Sequence, residues 1–131
     1  MPSILIIDDD RLVREAAQIL LRAKGYEVSV AADGKSGIEA VQTGRFDLAI
    51  VDLFMPDMDG LKVIETIRRI KPAMPMIAAS GFMFGGQCPE MPEFAHMAAD
   101  AGAFFTLYKP FRPHEVVAIV AQALGSAASA A

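Results

Sequence analysis

Five short apolar runs set the fold of this chain: Ile4 to Ile7, Val28 to Ala32, Leu48 to Val51, Met76 to Ala79 and Ala103 to Tyr108. Each is four to six residues long and bounded by polar or turn residues, so each reads as a buried strand. Between them lie segments with helical spacing. In the first, Leu12, Ala16, Ile19, Leu20 and Ala23 recur at i, i+3 and i+4 and predict one apolar stripe, with Arg11, Arg14, Glu15 and Arg22 pointing elsewhere. Lys24-Gly25 closes that helix. A second is expected from about Gly34 to Thr43, stopping at Gly44, and a third from about Leu61 to Ile70, stopping before Pro72. A fourth is expected over Glu93 to Asp100, and a fifth from Pro113 through Leu124 to Gly125. Strands buried on both faces and alternating with helices imply a parallel sheet covered on both sides, because a parallel connection needs a crossover segment. The predicted class is α/β, doubly wound. Residues 1–124 are expected to form one domain, and residues 125–131, small and Ala/Ser-rich, a flexible tail.

A chain of 131 residues suffices for one such domain. Its net charge of −4 comes from acids and bases spread along the sequence, which offers no basic face to a nucleic-acid backbone and argues against direct DNA binding. Cys88 is the single cysteine, so neither a disulfide nor a cysteine zinc site can form, and a reducing compartment is expected. The first apolar run has no basic flank and is too short for a secretory leader or a membrane span, which points to the cytoplasm.

The informative residues follow the strands. Strand one runs into Asp8, Asp9 and Asp10, strand three into Asp52, strand four into Ser80 and strand five into Lys109. In an open parallel sheet those ends share one edge, where such folds bind ligands. Carboxylates crowded there repel one another unless a cation intervenes, and a hard divalent ion with oxygen ligands is the natural one. Mg²⁺ takes one or two carboxylates, waters and a phosphate oxygen. Lys109 adds a positive charge and Ser80 a hydroxyl donor, both suited to phosphoryl oxygens, and Asp52 is the plausible nucleophile because carboxylates form aspartyl phosphates. Asp8 to Asp10 could instead cap the first helix, although one aspartate would suffice. Asp57-Met58-Asp59-Gly60 resembles part of a calcium loop, but Met55 and Thr66 occupy its first and twelfth ligand positions.

From Ile4 to Leu124 the chain resembles a bacterial response regulator receiver domain of the single-domain, chemotaxis type. Four signatures carry the likeness, in order: Ile6-Ile7-Asp8-Asp9-Asp10 with Arg14 behind it, Val51-Asp52 through Asp59-Gly60, Ala79-Ser80-Gly81, and Lys109-Pro110-Phe111. The resemblance implies a flavodoxin-like five-stranded sheet of order 2-1-3-4-5. It implies Asp52 as phosphoacceptor, Mg²⁺ held by Asp8, Asp9, Asp52 and the backbone carbonyl of Phe54, and Ser80 and Lys109 as contacts to the phosphoryl group. It implies a sensor histidine kinase or a histidine phosphotransfer protein as donor, and a protein target on the surface of the fourth helix, fifth strand and fifth helix, where a phosphorylation-dependent dimer could also form. The domain would lose its phosphoryl group by its own hydrolysis without being an enzyme in its own right, and the Lys109-Pro110 bond would be cis.

Two positions depart from the family pattern. Thr106 stands where receivers carry the Tyr or Phe that swings inward as the hydroxyl closes on the phosphoryl group, so the resemblance puts the switch positions at Ser80 and Thr106 but does not imply the usual coupling of hydroxyl to aromatic. The stretch Gly81 to Pro92 is longer than the normal connection, and its Phe82, Met83, Phe84 and Met91 are apolar enough to pack over the active edge or against a partner. Two other readings stay open: a receiver-like docking adaptor that is never phosphorylated, and a Mg²⁺ phosphatase with an aspartyl nucleophile. The second would carry Asp-x-Asp on the first strand and a cap domain.

Overall fold

The computed structural model describes residues 1–55, 58–80, 99–103, 105–108 and 112–130. Strands β1 (Ser3–Ile7), β2 (Glu27–Ala31), β3 (Leu48–Asp52), β4 (Met76–Ser80) and β5 (Phe105–Tyr108) form one sheet of order 2-1-3-4-5. Every pairing within it is parallel. Helices α1 (Arg11–Ala23), α2 (Gly34–Thr43) and α3 (Gly60–Ile70) follow the first three strands. Residues 99–101, called α4 here, are helical, and α5 (Pro113–Ala130) follows β5. A two-stranded antiparallel ribbon, Phe54–Met55 with Met58–Asp59, sits between β3 and α3. This is the doubly wound α/β architecture read from the sequence.

Alternation along each strand divides the core in two. Leu5, Ile7, Ala49, Val51 and Ala78 pack with Val41 of α2 and Val63, Ile64 and Ile67 of α3. Ile4, Ile6, Ile50, Ile77 and Ala79 face the other way, onto Ala17 and Leu21 of α1 and Val116, Val120 and Ala123 of α5. Helix α1 ends as the Lys24-Gly25 pair predicts. Gly25 has φ +91°, its N–H donates to the Arg22 carbonyl, and the Tyr26 N–H donates to the Leu21 carbonyl, a closure that favours glycine.

Two expectations need correction. The stripe predicted for α1 is not its buried face: Leu12 is 74% exposed and Ile19 71%, Ala16 and Ala23 are exposed, and only Leu20 of the five is half-buried. The sheet instead receives Ala17 and Leu21, roughly a third of a turn away at 3.6 residues per turn. Periodicity finds an apolar face but cannot say which face the crossover turns inward. Arg14, expected to point elsewhere, is half-buried at the sheet edge. The second correction concerns Gly125. The helix does not stop there but continues to Ala130. A side chain at Gly125 would meet nothing within 4 Å, and the residues after it are alanines and serines, so nothing opposes the extra turns.

The Gly81 to Pro92 stretch, most of the expected fourth helix, Lys109 and the Lys109-Pro110 bond lie outside the described residues. No helix among the described residues is long and apolar enough to cross a membrane.

Candidate functional site

The strands β1 and β3 are neighbours with Ile7 opposite Val51, so the residues that follow them, Asp8 and Asp52, emerge side by side at one edge. Both are 3% exposed, whereas Asp9 is open to solvent. One carboxylate oxygen from each of Asp8, Asp9 and Asp52 lies within 4.8 Å of the others. Two unit charges at that spacing repel by on the order of 3 kcal/mol at an effective dielectric of about 20. A cation among them relieves that repulsion, and an all-oxygen donor set with one solvent-facing member suits a small hard divalent ion that keeps some of its water.

The β1–α1 turn holds these groups by its own hydrogen bonds. The Asp8 N–H donates to the Ala31 carbonyl at 3.1 Å, extending the ladder to β2 by one residue. The Asp10 N–H donates to Asp8 Oδ1 at 2.9 Å, which orients that carboxylate. Asp10 itself caps α1, its Oδ1 accepting from the Leu12 N–H at 2.9 Å. The aspartate run thus divides its work: the third residue starts the helix and the first two join Asp52. Arg14 closes the turn from behind, Nη1 donating to the Asp8 carbonyl at 2.7 Å. Its spacing of six from Asp8 belongs to no local pattern, which is why the sequence did not assign it this contact.

On the other side, Asp52 pairs with Ala79 of β4, and the Leu53 N–H donates to the Ala79 carbonyl at 2.9 Å. Ser80, the next residue of β4, ends that strand opposite Tyr108, so its backbone stands one step beyond the Asp52 level on the same edge. Phe54 begins the ribbon, its backbone paired with Asp59. Thr106 lies in β5 opposite Ala78, half-buried. Lys109 is outside the described residues. The structure therefore brings together Asp8, Asp9 and Asp52 and sets the backbones of Phe54 and Ser80 beside them.

Comparison with known proteins places the chain in a family. The DNA-binding transcriptional regulator NtrC of Azospirillum brasilense is 36% identical over 124 residues, which cover 95% of this chain and 24% of that protein. The response regulator MprA of Mycolicibacterium vanbaalenii is 32% identical over 115 residues, 88% of this chain and 47% of the relative. The chain thus spans less than half the length of these curated relatives. Among solved structures, a CheY-like receiver domain protein from Methanospirillum hungatei superposes with a TM-score of 0.89 at 27% identity, covering 100% of this chain and 99% of the other. The chemotaxis protein CheY4 of Vibrio cholerae gives 0.83 at 28%, covering 94% and 98%. Residues 4–121 match the response regulator receiver domain as a family. This chain belongs to the response regulator receiver domain family.

Proposed function

We propose that this domain is a cytoplasmic phosphorylation switch that accepts a phosphoryl group on Asp52 from a histidine kinase or a histidine phosphotransfer protein. The observation that carries the reading is the meeting of the Asp8, Asp9 and Asp52 carboxylates at one edge, from strands far apart in sequence. In the transfer, an Asp52 carboxylate oxygen attacks phosphorus in line, the O–P bond forms as the donor's P–N bond breaks, and the donor imidazole leaves. Mg²⁺, when bound, neutralises charge on the moving phosphoryl oxygens. Asp8 and Asp9, with the Phe54 carbonyl, are the groups that would hold it beside Asp52. Lys109 and Ser80 would contact the phosphoryl oxygens, and water attack on the acyl phosphate would reset the switch. Thr106, in place of an aromatic residue, would leave the coupling of Ser80 to the output surface different from the family pattern.

The face that meets the donor is suggested by α1. Leu12, Ala16, Ile19 and Ala23 repeat at intervals of four, three and four on the exposed side of a helix that starts at Asp10, next to the acids. That spacing fits a partner helix lying along α1, and a protein delivering phosphate to Asp52 has to approach this edge. The fourth-helix, fifth-strand, fifth-helix surface then remains for a protein target.

Incubation with acetyl phosphate tests the chemistry. Labelling is expected with Mg²⁺, to fall sharply without it, and to vanish in Asp52→Asn; labelling of Asp52→Asn equal to wild type would refute the assignment. The docking-adaptor reading predicts no label under any condition, and the phosphatase reading predicts turnover of phosphate monoesters.

A further inference from the structure

Gly60 is the first residue of α3, and its backbone lies against the strand end that carries Asp52. A Cβ built at Gly60 would sit 2.5 Å from the Asp52 carbonyl oxygen, 2.9 Å from the Leu53 carbonyl carbon, and closer still to the Leu53 Cα. These are backbone atoms, so no side-chain rotation can relieve the contact. Nor can Leu53 easily retreat, because its N–H is already bonded to Ala79 of β4 on the other side, at 2.9 Å, and its side chain is buried in the core. Leu53 is therefore wedged between α3 and β4. It is also the residue that separates Asp52 from Phe54.

We propose that Gly60 is a positioning residue for the phosphoacceptor site: by carrying no side chain it lets α3 seat directly on Asp52 and Leu53, and so fixes the spacing between the Asp52 carboxylate and the Phe54 carbonyl. The proposal rests on the reading of those two groups as cation ligands. A side chain at residue 60 moves the Leu53 backbone, and any movement of Leu53 reaches both groups at once. The ribbon transmits the same displacement, because Phe54 is paired with Asp59, the immediate neighbour of Gly60. Helix propensity argues the opposite way. Alanine is the better helix former, so on intrinsic preference Gly60→Ala should be harmless or helpful. Any loss must come from the contact.

The test compares Gly60→Ala with Gly102→Ala. Gly102 has φ +129°, and its Cβ would lie 2.6 Å from Arg68 Cδ, so substitution there also strains the fold. It precedes β5, however, at the end of the sheet opposite the acids. Mg²⁺ affinity is measured by titration calorimetry and stability by urea unfolding, on the full chain. Gly60→Ala is expected to weaken Mg²⁺ at least tenfold, about 1.4 kcal/mol, while Gly102→Ala loses stability and keeps Mg²⁺ affinity within about twofold. Gly60→Ala binding Mg²⁺ within twofold of wild type overturns the proposal, and so does an equal loss in both variants. If Gly60→Ala does not fold, amide spectra of the wild-type chain decide. The Leu53 and Gly60 resonances should shift with Mg²⁺ at the calorimetric midpoint while Gly102 stays still, and a silent Gly60 overturns the proposal. A wild-type chain that takes up no Mg²⁺ would break the underlying functional reading instead.

Discussion

Helices α1 and α3 start at the same edge, each a few residues after a site carboxylate, yet they use their apolar residues in opposite ways. Helix α3 hides Val63, Ile64 and Ile67 completely, all at 0% exposure. Helix α1 hides little more than Ala17 and Leu21, and leaves two of its large apolar side chains, Leu12 and Ile19, in solvent. Apolar content on a helix face is therefore not a measure of what that face does. On α3 it is core, and its first residue is pressed against Asp52. On α1 the core contact is narrow, and a second apolar face stays exposed.

The strongest way to break this contrast is by stability. Ile67→Ala should cost about 2–5 kcal/mol in urea unfolding, as expected for emptying a filled core site, whereas Leu12→Ala and Ile19→Ala should each stay within about 0.5 kcal/mol. A loss at Leu12 comparable to that at Ile67 would show that the α1 face is covered after all. Arg14→Gln comes next, at about 1.5–3 kcal/mol, because it removes a charged donor from the carbonyl of buried Asp8. Mg²⁺ affinity should fall with it, and an unchanged affinity would limit Arg14 to a fold role. The double variant Leu12→Ala, Ile19→Ala sharpens the contrast most directly. Phosphotransfer from a protein donor should slow by about tenfold, equivalent to about 1.4 kcal/mol, with acetyl phosphate labelling unchanged; equal loss from both donors would remove the docking face.

The smallest expected effect concerns the caps that start the helices. Asp33 caps α2, with Oδ1 accepting from the Ser36 N–H at 2.7 Å, and that bond holds its carboxyl below the usual 3.8. A carboxyl lowered in the folded state adds stability above its unfolded value, and the addition is lost as pH falls through the lower folded value. Urea midpoints measured as pH drops through about 4 and below should therefore decline slightly more in wild type than in Asp33→Asn, which keeps a capping oxygen without the charge. Parallel declines would leave the Asp33 charge with no part in stability.

Much of this was legible before any coordinates. The strands were, because five apolar runs too short for helices admit little else, and so was the end of α1 at Gly25, where a positive φ demands the residue type the sequence supplies. Asp8, Asp9 and Asp52 were legible as a group because parallel connectivity sends every strand's carboxyl end to one edge. The inward face of α1 was not, since two apolar arcs share Leu20 and only packing chooses between them. Arg14 and Gly60 were not, because their contacts are with backbone atoms of residues six or more positions away, and a backbone atom looks the same in every residue.

What the sequence determined by itself was order and chemistry: which segments are strands, which helices follow them, and which acids end up together. Those follow from periodicity and chain connectivity, both local or topological. What the tertiary structure alone decided was rotation and distance. Which side of α1 faces the sheet, and how closely α3 approaches Asp52, depend on the summed fit of many side chains across the core, and no single segment carries that information.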